Sequence, residues 1–286
     1  LVVALWGGVA PSAMAWRYKS QIAPLLQYYE YKEFSKGKLF IIIDGIMAGA
    51  NYRGRFDFDN GLFIEPFDIS LYGASALHYT SNGTGTSNNV SYFLAESRVT
   101  GGYNVRWGSD KFEKNHTITF YTGAAYRYTA NLDSGKVTST GAFSYDRINH
   151  MGYIPIGAGY SFEKNKWLIG VKGEYDIFLG GQQQSYFKLL YSDRQGDVYS
   201  STSTNAVVNA QHGGYGMKFN IVAGYDGWFI NPFFNYWSLA VSDPVFITVP
   251  NNCDNRGMNC NGTVTQVAEE PENTTIEVGA RFGYTF

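Results

Sequence analysis

Side chains able to do chemistry are few in this chain, and their spacing decides little in favour of catalysis. There are four histidines, and a histidine acting as a general base needs a carboxylate within hydrogen-bond reach. His212 follows Ala210 at two residues' distance, and His150 follows Ile148 at two and Asp146 at four. Neither stands in an Asp-x-His pattern. Asp57 and Asp59 form an Asp-x-Asp on what reads as a connection. The expectation is no catalytic residue and no enzyme activity. Cys253 and Cys260 lie in an Asn-rich run, where an oxidising compartment would join them as a disulfide pinning a loop tip. A metal centre needs about four ligands, and no His or further Cys adjoins this pair. Neither metal nor other cofactor is expected.

The remaining charged residues gain meaning only from the elements that carry them. After Trp16 apolar and polar residues alternate with period two, which marks strands with two chemically different faces. The last segment shows it most clearly: Ile276, Val278, Ala280, Phe282, Tyr284 and Phe286 share one face, and Glu277, Gly279, Arg281, Gly283 and Thr285 the other. Comparable segments fall near 22–33, 38–54, 67–80, 90–107, 115–130, 148–163, 166–180, 213–226, 228–241 and 274–286. They predict an all-β fold: a closed antiparallel transmembrane β-barrel of about ten strands, with eight or twelve as alternatives. About ten residues tilted near 45° cross a hydrocarbon layer. Short connections (108–114, 163–165, 226–227) alternate with longer ones (81–89, 131–147, 181–212, 242–273), as periplasmic turns alternate with extracellular loops. The short link at 34–37 and the long one at 55–66 fit this less well. Pro24, Pro155 and Pro232 fall within segments and predict local bulges.

With the apolar face turned to lipid, the inner face carries both signs of charge. Glu96, Arg98 and Arg106 would point inward from the fourth strand, and Lys172, Glu174 and Asp176 from the seventh. The same parity assigns Glu30, Lys32, Asp44, Arg127, Lys218, Glu277 and Arg281 to the lumen. Ten strands about 4.8 Å apart and tilted ~40° give a radius near 10 Å, which long side chains can span. Mixed sign favours paired charges over a one-sign ion filter, so the expectation is a non-enzymatic barrel locked by a charge network. A narrow channel for small solutes and a surface hydrolase are the alternatives. Arg98 should then matter more to stability than Lys111, which is placed in an exposed turn.

Composition agrees with this class. Tyr (23) and Phe (20) are abundant and charged residues make up only 16%, which suits aromatic girdles at two lipid interfaces. The mean hydropathy of -0.22 excludes a bundle of membrane helices. The net charge of -2 argues against a nucleic-acid partner. Residues 1–15 form an apolar stretch ending in Ala13, Met14 and Ala15, read as a secretory signal peptide truncated at its start; the barrel domain then covers 16–286. The Asn-x-Ser/Thr sequons, such as those at Asn82 and Asn261, are read as chance matches.

Barrels of this size invite comparison with the omptin family of outer-membrane proteases, whose Asp-His pair faces two aspartates at the external rim; His212 and His150 lack that spacing. The stretches 28–33, 96–103, 126–128, 172–176 and 231–233, with Tyr236, Trp237 and the terminal strand, resemble a group of small porin-like outer-membrane barrels of Gram-negative bacteria. Phe282, Tyr284 and Phe286 resemble the C-terminal signal of such barrels. That resemblance implies an outer-membrane location with both mature termini periplasmic, and lipid and lipopolysaccharide as surroundings. It also implies the barrel-assembly machinery as reader of the last strand, and names no partner for the external loops.

Overall fold

Strands with one apolar and one polar face must meet different surroundings on their two sides, and closing the sheet on itself leaves no unpaired edge. A computed structural model describes residues 16–109, 114–142, 144–186, 190–192, 198–200, 206–250 and 261–286. The expected signal peptide, Lys111, Cys253 and Cys260 lie outside the described residues. The strands are β1 (Trp16–Ser35), β2 (Lys38–Phe58), β3 (Leu62–Ser81), β4 (Gly85–Ser109), β5 (Lys114–Asn131), β6 (Asp146–Lys164), β7 (Trp167–Tyr186), β8 (Leu190–Ser192), β9 (Val198–Ser200), β10 (Val207–Gln211), β11 (Gly214–Tyr225), β12 (Trp228–Leu239), β13 (Val245–Pro250), β14 (Thr263–Ala268) and β15 (Glu272–Thr285). Two hairpins, β8 with β9 and β13 with β14, stand apart from the main sheet. The other strands follow the order β7, β11, β12, β15, β1, β2, β3, β4, β5, β6, and β6 closes on β7. Both β10 and β11 pair with β7 in one continuous register, so they form a single stave broken at residues 212–213. The result is a closed antiparallel barrel of ten staves, the count the alternation predicts.

The two ends of the barrel differ. At the turn end, residues 59–61, 165–166 and 226–227 join neighbouring strands, and Phe286 donates its amide to Ser20 beside the start of β1. Asn165, Lys166, Asp226 and Gly227 all have positive φ, the geometry of two-residue hairpins whose twist matches that of the strands. The loop end carries tight turns at 36–37 and 82–84 and the long connections from β5 to β6, β7 to β10 and β12 to β15. The long link expected over 55–66 shrinks to 59–61, because β2 and β3 run on through it; the loop expected over 81–89 shrinks in the same way. Pro24 and Pro232 do not produce the expected bulges. Beside Pro24 the ladder to β15 passes from Ile22 to Leu25 without offset. Beside Pro232 the ladder to β11 passes from Phe233 to Ile230. Each proline forgoes pairing on one side while the register holds. Near Pro155 the shift falls between Gly152 and Tyr153, and the extra residue is Leu179 on β7.

Outward positions form an apolar belt that includes Leu26, Ile46, Val99, Phe120, Ile169, Phe219, Ile230 and Val278, all exposed. Aromatic contacts gather at two heights. Near the turn end Trp16 meets Phe56, Trp107 stacks on His116, Trp167 meets Tyr225, and Trp228 stacks on Phe282. Eight or ten residues further along the same strands, Tyr175 stacks on Tyr215, which in turn meets Tyr236. Eight residues rise about 20 Å along the barrel axis at ~40° tilt, close to the height of a lipid-facing band between two girdles.

Candidate functional site in the barrel lumen

The inward side chains arrange themselves in three storeys. Towards the loop end the interior is apolar: Tyr29, Ile43, Met47, Leu77 and Leu94 pack in one cluster, and Met151, Tyr153, Phe178 and Trp237 in a second. Tyr29 and Tyr92 hydroxyls meet at 2.6 Å across the first. Above these clusters lies a polar lid. Arg147 on β6 bonds Glu33 on β1, five staves away and therefore diametrically opposite. Glu270, between β14 and β15, accepts from Tyr31 at 2.8 Å and from Gln183. Burial, with Glu33 beside it, pushes the Glu270 carboxyl up to about 8.

At mid-height the lumen is crossed by charge. Arg127 on β5 bonds Glu277 on β15, again diametrically opposite, and lies 3.5 Å from Glu96. Lys218 on β11 donates to Glu96 on β4 at 2.8 Å and to the Tyr153 hydroxyl at 2.8 Å. The same ammonium lies 3.4 Å from Asp176 and 3.6 Å from Glu174. Arg98 donates to Glu174 at 2.5 Å, with Tyr121 donating to the same oxygen at 2.6 Å, and reaches Asp68 at 3.9 Å. Asn235 donates to Glu277 at 2.8 Å. Arg98, Arg127, Lys218, Glu174, Asp176 and Glu277 are all buried. Full burial of so many ions is tolerable only with partners and hydrogen bonds, and this lattice supplies them from eight staves. Asp176 is the least satisfied member, since neither carboxylate oxygen takes a hydrogen bond.

Below the lattice the lumen widens into a polar cavity towards the turn end. Glu65 takes Arg53 and, at 3.4 Å, Arg55, while Thr100 donates to it at 3.0 Å. Asp57 takes Arg55 at 2.9 Å and Arg106 at 3.4 Å, with Lys19 at 3.8 Å.

Ten of the thirteen residues expected inside the barrel share the inward face: Glu96, Arg98, Arg106, Arg127, Lys172, Glu174, Asp176, Lys218, Glu277 and Arg281. Glu30, Lys32 and Asp44 do not. Buried positions on β1 are the odd ones from Ala23 to Glu33, so Glu30 and Lys32 share the outer face with Tyr28. Glu30 pairs in register with Asp44, which is therefore also outside and accepts from Tyr28 at 3.1 Å. Lys32 donates to Glu30 at 2.7 Å there. The parity misleads because residues 28–33 alternate aromatic and charged side chains on both faces. Sequence reasoning missed Glu33, Arg53, Arg55, Glu65, Asp68 and Arg147. The alternation of Asn51, Arg53, Arg55 and Asp57 was the signal that β2 continues.

None of the four histidines enters the lumen lattice. His116 and His150 bond the outward Tyr160 and Tyr126, and His78 bonds Asn88. His212, at the break between β10 and β11, lies 3.1 Å from Asp243 with both side chains largely exposed. That pairing joins residues far apart in sequence, so spacing could not show it. Among the described residues no cluster of three metal-ligating side chains occurs.

No family model matches the chain, and no curated protein does. Among solved structures, the outer-membrane protease OmpT from Escherichia coli superposes with a TM-score of 0.52 over 96% of this chain and 99% of that one, at 10% identity. The fold is shared. The toluene transporter TodX from Pseudomonas putida follows at a TM-score of 0.34 and 8% identity, over 94% of this chain and 89% of that one. Ail of Yersinia pestis, crystallised with sucrose octasulfate, reaches 0.24 at 8% identity over 93% and 99%. At these identities and scores, activity does not transfer.

Proposed function

We propose that this chain is a non-enzymatic integral protein of a Gram-negative outer membrane, in which the ion lattice bars passage through the lumen. The turn end with both termini faces the periplasm and the loop end faces outside. The diametric Arg127 and Glu277 pair carries this reading, because two buried side chains meeting across the full width leave no open axis at that height. The two aromatic girdles and the exposed apolar belt support membrane insertion. The β13 and β14 hairpin supports a surface-interaction role, since it forms a sheet of its own, tied to β10 by the Asn209 bond to the Ala268 carbonyl at 2.9 Å, and exposes the cross-strand pair Phe246 and Val267. A purely structural role in the envelope would use the same barrel without that hairpin. The order of resembling stretches also supports kinship with small porin-like barrels.

Liposomes carrying the folded protein test the plug. Swelling in arabinose no faster than in protein-free liposomes is expected, and rapid swelling would contradict it. A surface hydrolase is the second reading, favoured by the His212 and Asp243 pair. A peptide-cleavage screen comparing the protein with His212→Ala should show no His212-dependent cleavage; such cleavage would establish the enzyme instead.

A further inference from the structure

The cavity at the turn end measures about 560 Å³, within the range of small-molecule sites. Nine of its lining side chains are Lys or Arg and five are Asp or Glu. Six of these cations are paired with the carboxylates already described; among the described residues Arg17, Lys172 and Arg281 are not, and the last two lie inside the cup. Lys172 has no hydrogen bond and no ion pair among the described residues; its ammonium rests 4.0 Å from the centroid of the Tyr121 ring. Arg281 is held by neutral groups, the Asn231 and Asn220 side-chain oxygens at 2.9 and 3.3 Å, with its guanidinium over Phe233. Its Nε, like that of Arg53, is buried without an acceptor. Lys172, Arg281, Arg53 and Arg98 all line this cavity; the carboxylates of Glu174 and Glu65 lie near Lys172 and that of Asp68 near Arg281, but neither Lys172 nor Arg281 forms an ion pair with them among the described residues. These cations therefore surround one space.

Unpaired cations in a low-dielectric lumen are costly, and neutral solvent offsets that cost only in part. A small anion with two negative charges would supply both the missing charge and the missing acceptors. The approach is favourable too. Lys19, half exposed, and Arg17 stand at the mouth, and the excess of basic over acidic side chains in the lining favours the entry of anions. The mid-height lattice closes the other side. We infer that this cup binds a small dianion with phosphate or carboxylate oxygens, taken up from the turn end, with Lys172, Arg281 and Arg53 as its donors. The inference goes beyond the plug: a leaky lattice with intact anion binding would remove the plug alone.

Calorimetry on the full chain folded in uncharged detergent tests it, with inorganic phosphate and succinate as separate titrants and glucose as the neutral control. Saturable single-site binding of one or both anions is expected, and the stronger titrant identifies the head group. Glucose should give no heat. Lys172→Gln and Arg281→Gln should each weaken anion binding at least tenfold. Should neither variant fold, Lys19→Gln at the mouth is read instead, with a severalfold weaker affinity expected. No anion binding by the unmodified chain, or affinities within twofold of it in the variants read, would overturn the proposal.

Discussion

Arg98 shows what one buried charge contributes. It lies between Glu174 and Asp68 with little exposure, so removing it takes a cation from two carboxylates at once and leaves Glu174 with Tyr121 and Lys218, and Asp68 with Asn51. Truncating one partner of such a pair costs about 3–5 kcal/mol. Lys166, by contrast, pairs with Asp226 on an open turn, where an ion pair contributes little. Arg98→Ala should therefore lower the melting temperature in detergent well below that of Lys166→Ala, whose melting should match the unmodified chain; equal values would contradict a stabilising lattice. Glu270 adds a pH dependence. Its folded pKa, about 8, lies above the ordinary 4.5, so the folded state holds a proton that the unfolded state releases between those values. Its contribution to stability is fully present below about 4.5 and is lost as pH rises through about 8. The groups facing it are Glu33, Arg147 and Tyr31. Amide exchange near Gln183 and Asn209 should accelerate beyond its intrinsic pH dependence with a midpoint near 8, and Glu270→Gln should abolish that excess. Parity along the strands is enough to identify most lattice members, yet it leaves the partner of each invisible, because pairing across a lumen joins residues up to 150 positions apart.

At the scale of elements, strand faces were legible wherever large apolar side chains occupied one face alone, as in β15. They were not legible in β1, where Tyr28, Tyr29 and Tyr31 fall on both faces. Connections read as loops from their polar residues proved to be strand ends, since inward polar residues look the same as loop residues once a lumen is lined with charge. The contact between β5 and β6 gives an element-scale prediction. A Cβ on Gly157 would stand 2.0 Å from the Tyr121 ring, so β6 can pass there only without a side chain. Gly157→Val should push Tyr121 aside, break its 2.6 Å bond to Glu174 and lower the melting temperature. The double variant Gly157→Val with Tyr121→Ala should recover part of the loss; no recovery would place the fault elsewhere.

For the whole molecule, ten staves and an even count followed from alternation and connection lengths, while the storeyed interior did not. Nothing in a single strand reveals that apolar residues would gather towards one end, charge at the middle and an open cup at the other. That order depends on how far each strand is slid against its neighbours in the closed sheet. The central claim is that the middle storey closes the axis. Single-channel recording in planar bilayers at 1 M KCl tests it most directly: the account predicts no conductance steps above the protein-free background, and discrete ohmic steps that appear with the folded chain would contradict it.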